Sequence, residues 1–385
     1  MDYRKHDGLR ISEVGVGCYA LSGAYGSVDI EDFKRMILRA HELGVNFFDT
    51  AEGYGEAERI LGEAVRPFRE EIHIATKVGI REGIEPDLSK EYISDACERS
   101  LRQLDTDYID LYQVHFDDPQ TPVSETVESL DRLVAEGKIR QYGIGHLPVD
   151  RVKEYCERGS PFSILMELSA VARESREELL PFCATYDMAG IGFSTTGRGI
   201  LTGKYGPGTQ FEPGDIRNFD PVFQGPRFDS ALRIQDAFSE LAERYGVTTA
   251  QMAIAWVLAQ PGILCALTGS SKIKHLEENV GASGVTIKKV DLEHLEDLFA
   301  GEETLLKERE KKRVHEIVNA SLPTDPQQAF TDLVYALETS VNLRLLPEDT
   351  VRPVFVDLWP LRESLDRSLL PSLLGIQKKL KDLLE

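Results

Sequence analysis

Short runs rich in β-branched and apolar residues recur about every 30 residues, and this spacing constrains the fold more than any other feature. The runs are Val14–Cys18, Val45–Asp49, Ile72–Lys77, Tyr108–His115, Gln141–Gly145, Ser163–Leu168, Gly190–Ser194 and, after a longer gap, Leu264–Thr268. Amphipathic stretches separate them, among them Ile30–Leu43, Ser89–Leu104, Val123–Glu136 and Glu174–Tyr186. In the first, Phe33, Ile37, Ala40 and Leu43 fall on one helical stripe and Gly44 stops it. A strand and a helix together take about 30 residues, and eight such units close into a parallel (α/β)8 TIM barrel, the α/β fold class expected here.

The long gap before the last strand holds a Gly/Pro-rich loop, Gly203–Arg227, and two helical stretches, Ser230–Tyr245 and Thr249–Ala259. A long loop without regular structure is read as a functional insertion, a plain surface excursion being the alternative. The barrel is expected to occupy residues 1–300, followed by a helical extension over 301–385. In that extension Lys307–Arg313 reads as a solvated helix face and Ser321–Pro326 as a turn or linker. Phe330, Leu333, Val334 and Leu337 form one apolar stripe. A second stripe, Leu361, Leu365, Leu369, Leu373, Ile376, Leu380 and Leu383, is expected to break into two helices at Pro371.

Of 385 residues, 42% are apolar and 28% charged, enough to bury a large core. The formal net charge of −21 argues against a nucleic-acid or anionic-membrane partner, because phosphate contacts need cationic surface. Five scattered cysteines, Cys18, Cys97, Cys156, Cys183 and Cys265, contain no CxxC pair and fit a reducing, cytoplasmic setting. No apolar run is long enough to span a bilayer, and Met1–His6 leads into no signal-like segment. No metal site is read from the sequence.

In a parallel barrel, reactive groups sit at the carboxyl ends of strands. Those ends carry Asp49, Lys77 and His115, and Tyr54 follows Asp49 in the loop Thr50–Gly55. Taken singly, each has a bland reading: a packed phenol, a solvated ammonium, a structural imidazole. Together they make a proton donor. A phenol is a poor acid at neutral pH, an adjacent ammonium is expected to lower its pKa, a carboxylate holds the ammonium, and an imidazole can orient a carbonyl oxygen. Such a site lacks only a hydride, which a nicotinamide supplies.

The segments Phe47–Gly55, Ala75–Lys77, Asp110–His115, Gly197–Tyr205 and Thr268–Asn279 resemble those of the aldo-keto reductase family, in order, over roughly Ile11–Phe299. The resemblance implies an (α/β)8 barrel that reduces aldehydes or ketones of polar small molecules, or oxidises the alcohols, with NADP(H), NAD(H) being possible. Tyr54 is then the acid, Lys77 and Asp49 tune it, and His115 orients the substrate.

The same resemblance places the dinucleotide across the barrel mouth. No GxGxxG follows a strand, so a Rossmann site is not indicated. Gly17 and Cys18 border the site. Ser194, Gly197, Arg198 and Leu201 would line the pyrophosphate, Lys204 is a further cofactor-binding candidate, and Phe193 would stack on the nicotinamide. Ser270, Ser271 and Lys272, after the cofactor-binding candidate Gly269, would meet the adenosine 2′-phosphate at a helix N-terminus, with Glu278 and Asn279 on the adenine. His275 stands where relatives often carry arginine, a stronger phosphate partner. Family members usually hold the carboxamide with Ser-Asn after the fifth strand and Gln on the sixth. The matching residues here are Gly145, His146 and Leu165, so the ring is expected to be held differently.

Tyr25 and Phe116 are expected walls of the substrate site, with Ala20–Val28, Phe116–Thr121, Gly203–Arg227 and the extension around it. The extension is expected to pack on the barrel, to cover the pocket in part, or to join another subunit. Two other functions fit the sequence: a redox-neutral enzyme using bound NADP(H) transiently, and a non-catalytic regulatory subunit.

Overall fold

The computed structural model describes residues 1–80, 86–212 and 214–385. They group into two compact units, one of Met1–Tyr205 with Gln235–Lys288, the other of Gly206–Ile234 with Lys289–Glu385.

The first unit begins with an antiparallel hairpin, β1 (Tyr3–His6) and β2 (Leu9–Ser12). Its turn is Asp7-Gly8, both at positive φ, the backbone that a two-residue hairpin requires and that aspartate and glycine tolerate. Eight parallel strands follow: β3 (Val14–Gly17), β4 (Phe47–Asp49), β5 (His73–Val78), β6 (Ile109–Val114), β7 (Ile139–Gly145), β8 (Ser163–Glu167), β9 (Ala189–Phe193) and β10 (Ile263–Gly269). They close in the order β10-β3-β4-β5-β6-β7-β8-β9, surrounded by helices. All eight expected strands are present, with bounds shifted by a residue or two.

The alternation of strand side chains sets what the barrel mouth contains. Phe47, Ala75, Leu111, Leu165, Ile191 and Leu267 belong to one buried cluster. Two residues further on lie Asp49, Lys77, Gln113, Glu167 and Phe193, and two beyond Gln113 lies His115. The inward face that packs the barrel therefore emerges at the rim as its chemistry. Ile11 of β2 joins the same cluster, and Arg4 Nη1 donates to the carbonyl of Ile263, where β10 starts. The hairpin thus closes the amino-terminal end of the barrel.

The expected helices form, with local differences. Ile30–Glu42 is capped by Asp29, Lys90–Leu104 by Ser89, and Thr249–Leu258 by a reciprocal Thr248–Gln251 capping box. Glu174–Tyr186 is two short helices, Glu174–Glu178 and Leu180–Thr185, because Pro181 starts a new turn.

The second unit has its own core, in which Ile317, Phe330, Leu333, Val334, Leu337, Val351, Leu373 and Leu380 are buried together. Its helices are Pro326–Asn342, Glu348–Leu358 and Leu370–Leu384, together with the long Lys289–Asn319. That last helix runs unbroken through residue 300, and segment 206–234 groups with it. Arg227 pairs with buried Glu310, and Arg233 and Ser230 bind Glu302, which ties the segment to the long helix. Apart from Pro213, which lies outside the described residues, the Gly203–Arg227 segment carries 3-10 turns at Ile216–Asn218 and Pro221–Phe223 and enters the helix Gly225–Tyr245 at its end. The second stripe departs from its expected two helices. Trp359–Ser364 and Arg367–Leu369 are 3-10 turns, and Pro371 sits in the first turn of Leu370–Leu384, where its missing N–H costs nothing.

Among the described residues, no helix is long and apolar enough to cross a membrane, and no cluster of side chains could hold a metal ion.

Candidate active site

Asp49 ends β4, Lys77 is next to last in β5, His115 directly follows β6, and all three are buried. Lys77 Nζ lies 2.6 Å from Asp49 Oδ1 and donates a second bond of 2.6 Å to the carbonyl of Thr50. Asp49 Oδ2 accepts from Gln113 Nε2 at 3.2 Å. In register, Lys77 faces Gln113 across the β5–β6 ladder, which is how the amide reaches the carboxylate. Burial opposes the ammonium, but the Asp49 carboxylate and Tyr54 outweigh it and hold the Lys77 pKa above its ordinary value.

Tyr54 leans over this pair, with Lys77 Nζ 4.9 Å from its ring centre. The His115 ring meets it edge to face at 5.7 Å, and Tyr19 does the same at 5.0 Å. The sequence led to an expected fall in the Tyr54 pKa. The structure gives the opposite direction: burial raises it above the usual phenol value, and Lys77 offsets that only in part. His115 is pushed down to about 2, first by burial and then by the Lys77 charge, so its imidazole is neutral. The loop bearing Tyr54 is fixed by Glu52, which accepts from the Gly79 backbone N–H and the Tyr92 hydroxyl.

The rings continue around the rim. Phe116 lies 4.5 Å from His115 and stacks on His146 at 4.9 Å; His146 in turn faces Phe193 at 5.1 Å. Tyr25 meets Tyr19 at 5.8 Å. The structure therefore brings the two expected substrate walls to the same mouth as the tetrad. His146 adopts a positive φ, which turns its ring over the mouth; the protein ringing it, and Lys77, lower its pKa to about 4.

Beside His146 a cavity of about 170 Å³ is lined by Gly145, Leu165, Glu167, Ser175, Leu179 and Phe193, among others. Leu165 is buried in its wall. Arg198 reaches Glu167 at the end of β8, with its two terminal nitrogens 2.6 and 3.3 Å from the two carboxylate oxygens.

The remaining expected cofactor residues fall on two neighbouring segments and one strand end. Gly17 pairs with Asp49 in register, and the Cys18 N–H bonds the Asp49 carbonyl. After β9, Ser194, Gly197 and Arg198 all have positive φ. A Cβ at Gly197 would come within 2.5 Å of Val171, so only glycine fits there. Leu201 is buried, whereas Lys204 is exposed and its Nζ lies 3.3 Å from His275 Nε2. After β10, Gly269 leads to Ser270, whose hydroxyl accepts from the Lys272 N–H and closes the turn. Ser271, Lys272 and His275 line the start of helix Ile273–Val280; Asn279 is buried near its end, and the Glu278 carbonyl accepts from Gln251.

Ser194 Oγ and His115 Nδ1 are buried and have no hydrogen-bond partner among the described residues. Unpaired polar atoms beside positive-φ turns and a cationic helix start fit a dinucleotide laid along these segments. Sequence reasoning missed Gln113 and Tyr19. The period-two position of Gln113, two before His115, could have found it.

The Aldo/keto reductase family matches residues 13–299. The chain belongs to that family. As an aldo-keto reductase it is an NAD(P)H-dependent oxidoreductase by descent. It is 34% identical over 296 residues, covering 75% of its length and 85% of the relative, to a probable aldo-keto reductase of Glycine max. It is 31% identical to an NADH-specific methylglyoxal reductase of Escherichia coli, covering 74% and 93% of the two chains. Among solved structures, a glycerol dehydrogenase from Gluconobacter oxydans superposes with a TM-score of 0.72 at 29% identity, covering 78% of this chain and 96% of that one. The holo form of an aldo-keto reductase from Bacillus halodurans does so with a TM-score of 0.67 at 30% identity, over 77% and 96%.

Proposed function

We propose that this aldo-keto reductase interconverts a small polar carbonyl compound and its alcohol, with NADP(H) as the preferred nicotinamide and Tyr54 as the proton donor. One observation carries the reading: a buried Lys77–Asp49 pair lies beneath Tyr54, with the neutral His115 ring against it.

When bound, the reduced nicotinamide supplies a hydride to the carbonyl carbon. This chain supplies the rest. Because burial raises its pKa, Tyr54 keeps its proton until negative charge develops on the substrate oxygen. Lys77 then stabilises the phenolate left behind, and Asp49 keeps the ammonium charged and in place. Gln113 and the Thr50 carbonyl fix that pair, so little reorganisation is needed. As a neutral imidazole, His115 has one N–H to give to the same oxygen. Tyr19, Tyr25 and Phe116 wall the mouth with aromatic surface, which restricts substrate size.

The choice of a small polar substrate draws on the relatives, one named for methylglyoxal and one for glycerol. Ser271, Lys272 and the cationic surroundings of His275 support the phosphorylated dinucleotide. Incubation with NADPH or NADH and a panel of short aldehydes, ketones and polyols tests the proposal. Stoichiometric loss of the reduced-nicotinamide absorbance with at least one carbonyl supports it. Substrate conversion without net cofactor turnover would point to redox-neutral chemistry.

A further inference from the structure

Lys204 and His275 come from separate segments and meet at 3.3 Å, Nζ to Nε2. An ammonium has donors only, so at this spacing the imidazole nitrogen accepts and carries no proton. Partial burial comes first among the reasons, and the charges facing His275 follow. Lys272 and Lys274 flank it on its own segment, Lys204 faces it, and Glu278 lies one turn further along the helix. Helix Ile30–Glu42, packed against the same helix, contributes Arg39, paired with Glu277 at 2.8 Å. Helix Thr249–Leu258, packed on another side, has no charged side chain and offers only Gln251. Three lysines against one unpaired carboxylate disfavour an imidazolium, even in a chain whose net charge is −21.

A phosphate monoester beside Ser271 and Lys272 reverses that field. Its dianion favours the imidazolium, so His275 Nε2 becomes a donor and Lys204 is released to the phosphate. We infer that His275 takes up one proton from solvent when a 2′-phosphorylated dinucleotide binds, and thereby makes the preference for NADPH over NADH steepen as pH falls. The inference rests on the proposed placing of the adenosine end at Ser270–Asn279. NADH lacks the phosphate and leaves the lysine–imidazole contact intact.

Dissociation constants for NADPH and NADH between pH 6.5 and 8.5, with calorimetry in two buffers of different ionisation enthalpy, test this on the full chain. Wild-type protein should bind NADPH about three- to tenfold tighter per pH unit of acidification, with net proton uptake, while NADH affinity stays flat. His275→Gln should keep binding NADPH but lose both the slope and the proton uptake. His275→Arg should bind NADPH tightly at every pH. An unchanged slope in His275→Gln, or an equal slope for NADH, overturns the inference while leaving the site reading intact. NADPH affinity unchanged by Lys272→Met and by Ser271→Ala would sink the site reading itself, and the inference with it.

Discussion

At the ends of β4, β5 and β6, charged groups are tied to one another: Lys77 to Asp49 and the Thr50 carbonyl, Asp49 to Gln113. At the ends of β7, β8 and β9 the rim is mostly aromatic and aliphatic. His146 lies between Phe116 and Phe193, Leu165 walls a cavity of about 170 Å³, and the Arg198–Glu167 ion pair is the main polar link. The contrast separates two tasks. The first region must hold a proton and a charge in fixed geometry, where a displaced partner leaves a buried ion exposed to its full desolvation cost. The second must hold a flat ring, which stacking and shape can do with few hydrogen bonds. Substitutions in the first region should therefore alter the reaction and the fold together, and those in the second mainly dinucleotide affinity.

Lys77→Met gives the sharpest version of that difference. It leaves Asp49 buried without its cation, so it should destabilise the protein by about 3 kcal/mol and lower turnover by about 10³-fold. Denaturant unfolding and steady-state kinetics read the two effects. Wild-type stability with lost turnover would show that the pair serves chemistry alone.

His115→Gln should lower kcat by about 10²-fold with dinucleotide affinity unchanged. It should also change the acid limb of stability. Burial holds the folded imidazole at about 2, well below an unfolded value near 6.5. The unfolded chain therefore takes up a proton that the native chain refuses. The contribution of His115 is full above about pH 6.5 and falls by about 1.4 kcal/mol per unit as pH drops below it. The glutamine variant should lose stability less steeply between about pH 6 and pH 4.5, measured by thermal or denaturant unfolding.

Leu165→Gln probes the second region and has the smallest expected effect. A side-chain amide at this wall gives the carboxamide a hydrogen-bond partner and should tighten nicotinamide dinucleotide binding about fivefold, with kcat little changed. Equal or weaker binding would mean that the ring is held away from β8.

Much of this contrast was legible in the residues themselves. Each barrel strand is a short apolar run, and strand ends in a parallel barrel point to Asp49, Lys77 and His115. The β1–β2 hairpin was missed, although Asp7-Gly8 is a turn signal, because Tyr3-Arg4-Lys5-His6 shows no apolar alternation and the alternation of Leu9-Arg10-Ile11-Ser12 is only four residues long. Helix Glu348–Leu358 was missed because Pro347 and Pro353 read as breakers; the first is its N-cap and the second lies inside it. The reach of Gln113 to Asp49 and of Tyr19 to Tyr54 came from register and three-dimensional proximity, which the sequence reading did not use. The rise in the Tyr54 pKa required its burial, which a pairwise reading of tyrosine and lysine leaves out.

The most direct test of the proton-donor assignment is a single-turnover measurement of carbonyl reduction by the NADPH-loaded enzyme, in H2O and D2O, for wild type and Tyr54→Phe. The account predicts a solvent isotope effect in the wild type, and in the variant a rate lower by about 10²- to 10⁴-fold with NADPH affinity preserved. A variant that reduces the carbonyl at the wild-type rate would contradict it.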